Sequence, residues 1–338
     1  MTAESPPGNP PKEAILLDQF NIGDIRRWSR LRDELRRMHW DFQSDLAFQR
    51  SKITDKLANA LRGAAVRGYS FEGWQRVVSY QYATTPLSVS GSLVDPGGRF
   101  NIGDIDQPHH TPFPGLYVAK DRMTALQEAL CQTTSESDLD KALEFALTDP
   151  RSIAAVSVRG HLDTLIDLNQ PDKMRDFVDL IKNFTMAKVA LKTSVKYKIN
   201  LEIVNSVDKL LKAILEPNWR NLPVQFDLPS SSQIFGQLVK DAGIEGILYP
   251  SKYSGGECMV VFPQNFRNTE SFVEIMDKPP RGTRFVRLDS NNWHEVECVK
   301  VPEIDGKVLN RVVNTGGLGG IIKNTVDRLM RILKYGGN

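Results

Sequence analysis

Four residues in this 338-residue chain stand where side chains can do chemistry. Arg99 follows an Asp-Pro-Gly-Gly turn in Asp95–Asn101, DPGGRFN. Glycines in such a turn let a ligand approach the backbone, and an arginine fixed there suits two-pronged capture of phosphate or carboxylate. Tyr117 lies in Pro114–Ala119, PGLYVA, which reads as a strand before a turn at Lys120-Asp121. Glu128 stands 11 positions later, at the end of Thr124–Glu128, TALQE, which reads as helix. A strand, turn and helix of that length bring both side chains to one edge of a cleft. Ser251 closes Asp241–Ser251, DAGIEGILYPS, where a strand leaves a sheet and side chains often face a ligand. Taken singly, Arg99, Glu128 and Ser251 have ordinary alternatives: a turn arginine, a surface glutamate, a turn serine.

Other chemistries lack their residues. There is no GxSxG elbow, no GxGxxG and no Walker loop. His109 and His110 are adjacent and read as loop residues, and no metal site is expected. Cys131, Cys258 and Cys298 lie far apart without a CxxC pair, which argues against a disulfide framework or a zinc ribbon. Reduced thiols in a cytosol are the simpler expectation. The net charge of +2 excludes a strongly cationic nucleic-acid binder, so no nucleic-acid partner is expected. The N-terminus, MTAESPPGNPPKEA, has no charged start before an apolar run and so does not read as a secretory signal. The longest uncharged stretch, Val77–Val94, is rich in Ser, Thr, Gln and Tyr and does not read as a membrane span.

The elements that must hold these residues read as an α+β fold. Short apolar runs at Trp74–Tyr82, Gly115–Ala119, Ile153–Val158, Gly246–Tyr249 and Met259–Phe262 predict strands. Helices are predicted over Thr124–Cys131, Lys173–Phe184, Val207–Leu215 and Ser232–Ala242. The strands are short and unevenly separated, which suits a mixed sheet better than a doubly wound one. Residues 1–15 read as a disordered lead-in and 16–69 as a helical segment, one long helix or a hairpin with Gly63 as its stop. Arg26, Arg27, Arg30, Arg32, Arg36 and Arg37 crowd that segment, as a solvated face or as a docking face for an acidic partner. Residues 269–338 form an extension in which Arg284–Leu288 and Val296–Val301 read as paired strands. Beyond Gly316–Gly320, Ile321–Tyr335 reads as an amphipathic helix.

Together and in this order, GGRFN, GLYVA, TALQE and GILYPS with its following apolar strand resemble the RES domain, a family named for its arginine, glutamate and serine. Trp74–Val78, WQRVV, is similar to the opening strand of that family, and Val156–Leu168 to its middle strand and Asp-Leu turn. The resemblance covers roughly residues 70–268. Departures are a long segment between GGRFN and GLYVA and an enlarged region 171–230.

That resemblance implies a fold similar to ADP-ribosyltransferases and a toxin that consumes NAD by hydrolysis or phosphorolysis. NAD is then a substrate and no cofactor is expected. A protein ADP-ribosyltransferase with the same site, or a non-catalytic binding module, are the alternatives. By motif, Arg99, Tyr117, Glu128 and Ser251 are the implied catalytic set, with Arg76 and Asn101 assigned to substrate binding. An antitoxin or immunity protein is the implied partner, a second copy of the chain is an allowed one, and the implied setting is a cytosol.

Overall fold

The computed structural model describes residues 22–79, 82–105, 109–130, 153–279 and 281–297. The chain divides into two compact units, one of Met1–Asp45 with Met186–Leu201 and one of Leu46–Thr185 with Glu202–Asn338.

In place of one uninterrupted N-terminal helix there are two, α1 (Ile22–Ser51) and α2 (Thr54–Ala64). The break falls at Ile53, which has no side-chain cap, and α2 ends at Ala64, one residue past Gly63, before Ala65 turns extended. The first unit contains the leading part of α1 and a helix from residues 188 to 197. In it, Glu34 accepts from Lys196 Nζ at 2.8 Å and Tyr197 Oη at 2.5 Å. Those two donors hold the Glu34 carboxyl below its usual range.

The second unit is an α+β fold built on a seven-stranded sheet of β1 (Val66–Ser79), β4 (Leu116–Ala119), β5 (Ile153–Asp167), β6 (Gly246–Pro250), β7 (Glu257–Val261), β8 (Phe272–Ile275) and β9 (Arg287–Asp289). Its order is β1-β4-β7-β6-β5-β8-β9, and β1 also pairs with β5, so five of the strands close into a ring. All neighbours are antiparallel except β5 and β6, which run parallel through Ile166↔Ile247 and Asp167↔Leu248. A separate two-residue hairpin, β2 (Gly97–Gly98) with β3 (Asn101–Ile102), carries the GGRFN turn.

The central strands read as unbroken apolar runs because both faces are covered. On β7, Cys258 and Val260 join one core while Met259 and Val261 join the other. The first core also takes Leu57 and Leu61 of α2 and residues of α4 (Arg175–Ile181), α6 (Val207–Ile214) and α8 (Ser231–Asp241). The second holds Phe71, Trp74, Leu162, Leu165 and Phe266. Helix α3 (Arg122–Leu130) follows β4 directly. The chain also forms α5 (Lys188–Tyr197), α7 (Asn221–Phe226) and α9 (Trp293–Glu297), which the apolar pattern did not announce.

Several predicted bounds move. β1 begins at Val66 and β5 runs on to Asp167, because those two strands pair from Val66↔Leu165 to Ser79↔Ile153. The helix predicted from Lys173 starts as a 3-10 turn at Pro171–Met174 and becomes α4 only at Arg175. The strand predicted at Val296–Val301 is corrected: Val296 lies in α9, and the rest of that run is outside the described residues. β9 pairs instead with β8, through Val273↔Leu288. Cys131, Cys298, the lead-in 1–15, the Gly316–Gly320 joint and Ile321–Tyr335 also lie outside the described residues. Among the described residues no helix is long and apolar enough to cross a membrane.

Candidate functional site

The GGRFN turn is fastened from three directions. Asn101 is fully buried and its side chain makes four hydrogen bonds. Its Nδ2 donates to the carbonyls of Ser92 at 2.7 Å and Phe113 at 2.9 Å. Its Oδ1 accepts from Gly98 N and Tyr117 Oη, each at 2.9 Å. Tyr117 Oη in turn accepts from Phe100 N at 3.0 Å. Burial raises the Tyr117 phenol above its ordinary range, so it stays protonated and serves the turn. Gly98 is needed here, since a Cβ would lie 2.3 Å from Tyr117 Oη.

From the third direction comes α8. Ser230 and Gln233 form a capping box that starts the helix. The Gln233 amide then donates to the carbonyls of Pro96 at 2.7 Å, Asn101 at 3.1 Å and Gly98 at 3.2 Å. One turn on, Gly236 lies against the Phe100 carbonyl, with no room for a side chain. The turn so held presents Arg99, whose Nη1 donates to the Glu216 carbonyl at 2.8 Å.

The second half of the site is a clasp between α3 and the loop from β6 to β7. Ser251 Oγ donates to Glu128 Oε1 at 2.6 Å and accepts from Tyr253 N at 3.1 Å and Ser254 N at 3.2 Å. The two backbone donors fix the Ser251 oxygen and leave its proton for Glu128. Near the start of α3, Asp121 caps the helix by accepting from Thr124 N at 2.8 Å. Thr124 Oγ1 meets Ser254 Oγ at 2.8 Å. Two rungs, Thr124 to Ser254 and Glu128 to Ser251, therefore join helix and loop.

The halves meet around Cys258 and Tyr249. Burial drives the Cys258 thiol up; the Glu128 charge adds to that and the Arg99 charge opposes it. Burial likewise raises Tyr249, which both charges also reach. Tyr249 packs edge-on against Phe100 with ring centres 4.9 Å apart. The structure thus brings Arg99, Tyr117, Glu128 and Ser251 into one neighbourhood, with Asn101 beneath them. Arg76 is buried nearby but turned to the backbone. Its Nε, Nη1 and Nη2 donate to the carbonyls of Pro86 (2.6 Å), Tyr117 (3.0 Å) and Ser88 (2.7 Å). Burial lowers it to about 10.

A sequence model of the RES domain matches residues 74–281, more than half of the chain. The chain belongs to the RES-domain family. The match reaches past residue 268 to include β8, which pairs with β5 from Val158↔Ile275 to His161↔Phe272. No curated protein matches the chain. Among solved structures, the M. tuberculosis MbcT–MbcA toxin–antitoxin complex is similar to this RES protein at 15% identity and a TM-score of 0.36, over 72% of this chain and 98% of that one.

Residues that sequence reasoning missed also build this RES site: Gln233, Gly236, Thr124, Ser254 and Tyr249. Most of them work through backbone atoms or through one another, which leaves no motif of their own. A separate concavity of about 650 Å3 lies over β1, β5 and β8, lined by Ser70, Arg159, His161 and Glu270 among others. It contains none of Arg99, Tyr117, Glu128 and Ser251 and opens widely to solvent. Among the described residues no group of three His, Cys, Asp or Glu side chains can hold a metal ion.

Proposed function

We propose that this chain is an NAD-degrading toxin or effector enzyme that cleaves the nicotinamide–ribose bond on an ADP-ribosyltransferase-like fold. The observation that carries the reading is the 2.6 Å bond from Ser251 Oγ to Glu128 Oε1 just beyond Tyr249, on whose ring Phe100, the neighbour of Arg99, packs with ring centres 4.9 Å apart. The C–N bond breaks with its electron pair leaving on nicotinamide nitrogen, and the ribose becomes a cation. Nicotinamide leaves neutral, so no strong acid is needed. A fixed negative charge beside the ribose lowers the barrier. Glu128, held by Ser251, supplies that charge and binds the ribose hydroxyls. Arg99 takes the diphosphate. Water or phosphate then attacks C1 of the ribose, and its proton passes to Glu128 or solvent.

Tyr117 offers its ring face to the nicotinamide ribose, because its hydroxyl is spent on Phe100 N and Asn101. Arg76 acts as a positioning residue, tying residues 86–88 to β4. The family resemblance supplies the partner, an antitoxin or immunity protein, and a cytosol as the place of action.

The test is incubation of the purified chain with NAD, with and without phosphate, and chromatography of the products. Nicotinamide with ADP-ribose establishes hydrolysis. A phosphorylated ADP-ribose formed only with phosphate establishes phosphorolysis. ADP-ribose on protein would replace this reading by a transferase, and NAD left intact would overturn it.

A further inference from the structure

The enlarged region between β5 and α8 meets the site at Glu216. Arg99 Nη1 donates to the Glu216 carbonyl at 2.8 Å. There the chain makes a turn in which Asn218 N donates to Glu216 Oε1 at 3.2 Å. Trp219, 4% exposed, anchors the turn in the interior. Arg220 lies next, half-buried, with its guanidinium carbon 4.5 Å from the centre of the Trp219 ring. A guanidinium held over an aromatic face is drawn to the ring and keeps N–H groups available for a ligand.

Two further facts give Arg220 a direction. Neither it nor Arg99 makes an ion pair with a carboxylate among the described residues. Both positive charges also reach the Tyr117 phenol, where they favour the ionised form against burial. Arg99 holds the carbonyl of Glu216 and Arg220 follows four residues later, so one turn ties the two arginines together. Like charges kept together in a partly desolvated place repel, and an anion between them removes that repulsion.

We propose that Arg220 is the second arm of an anion clamp whose first arm is Arg99, and that the clamp closes on the diphosphate of a dinucleotide. The identity of the anion as a diphosphate rests on the proposed NAD chemistry. The enlarged region then serves the site directly. It delivers the second arginine, and the Arg99–Glu216 bond sets its distance from the first.

The experiment is calorimetric titration of the full chain with inorganic pyrophosphate, alongside NAD kinetics. The variants are Arg220→Gln, Arg220→Lys and, as a surface control, Lys212→Gln, whose side chain is 70% exposed. Losing one charged hydrogen-bonding arm is expected to weaken pyrophosphate binding about 10- to 100-fold. The KM for NAD should rise by a similar factor, with kcat within about threefold of the parent. Arg220→Lys keeps the charge and covers Trp219 but loses the planar fork, so it should fall between parent and Arg220→Gln, and it stands in if Arg220→Gln fails to fold. Lys212→Gln should bind as the parent does. The clamp is overturned by equal binding in Arg220→Gln and parent, by no pyrophosphate binding in the parent, or by an equal loss in Lys212→Gln. A parent that binds pyrophosphate through Arg220 yet leaves NAD intact would sink the proposed activity and leave the clamp standing.

Discussion

Gly236→Ala tests how the site is held. An alanine Cβ at Gly236 would lie 1.9 Å from the Phe100 carbonyl oxygen, 2.6 Å from its carbon and 3.0 Å from its Cα. All three atoms are backbone, so no side chain can swing aside. Carbon and oxygen meet comfortably at about 3.3–3.6 Å, so α8 and the GGRFN turn must part by more than about 1 Å. Gln233, one turn earlier on α8, loses reach to the carbonyls of Pro96, Gly98 and Asn101 in the same movement. Overpacking costs about 1–3 kcal/mol and each hydrogen bond about 1 kcal/mol. The better helix propensity of alanine returns about 1 kcal/mol. The net loss is about 3–5 kcal/mol, a fall of roughly 6–20 °C in Tm for a domain of this size. Arg99 precedes Phe100, and a displacement of about 1 Å at a positioned group costs on the order of 10² in rate. Thermal denaturation followed by circular dichroism, and NAD consumption at a temperature where the variant is folded, read both effects. Gly63→Ala is the control: it lies in α2 with nothing within 4 Å of the new carbon. It should stabilise by about 0.5–1 kcal/mol with unchanged activity. A Gly236→Ala protein with the parent's Tm and activity would refute the close approach of helix and turn.

Three other substitutions report on separate parts of the molecule. Glu128→Gln should lower kcat/KM for NAD on the order of 10²–10³ with little change in Tm; near-parental turnover would remove Glu128 from the mechanism. Thr124→Val removes the hydroxyl that bonds both Asp121 Oδ2 and Ser254 Oγ, cutting the upper rung between α3 and the Ser251 loop, and should lower kcat about tenfold or more, with recovery in Thr124→Ser. Equal rates in the valine and serine variants would mean that the hydroxyl does not position Glu128. Glu245, buried and accepting from Ser271 Oγ at 2.7 Å, is raised above the usual carboxylate range by burial. Its folded form therefore holds a proton more tightly than its unfolded form, and it withdraws stability as pH rises out of the acid range. Glu245→Gln should gain on the parent in urea midpoint between pH 4 and pH 7, and a gap that stays constant with pH would contradict this.

The site was legible where chemistry and backbone constraint fall on the same short run. In GGRFN the glycine, arginine and asparagine form one local unit: Gly98 is demanded by the Tyr117 hydroxyl, Asn101 by two carbonyls and two donors, and Arg99 stands between them. The fasteners were illegible because they act on backbone from far away. Gln233 serves the turn across 137 residues, from a helix whose pattern is ordinary. Arg76 is a cation by sequence, and only its three carbonyl partners show that it braces a loop. Apolar periodicity ended β5 near Val158, because Arg159, His161 and Asp163 point to an open face, whereas the family resemblance carried the strand on toward Leu168. α5 was missed because Ala190 and Ser194 are its buried positions while Val189, Leu191 and Val195 are exposed, which inverts the usual signal.

The strand order has a consequence for how this protein is made. β4 lies in the sheet between β1 and β7, and β7 is completed only at Val261. Glu128 waits 123 residues for the serine that orients it. Chains grow from the N-terminus and fold as their parts emerge. A ribosome that has passed Arg99, Tyr117 and Glu128 thus displays three members of the set with no strand between β4 and β6 to align them. A chain halted before Glu257 lacks β7, the strand between β4 and β6, so the proposed activity waits on that strand.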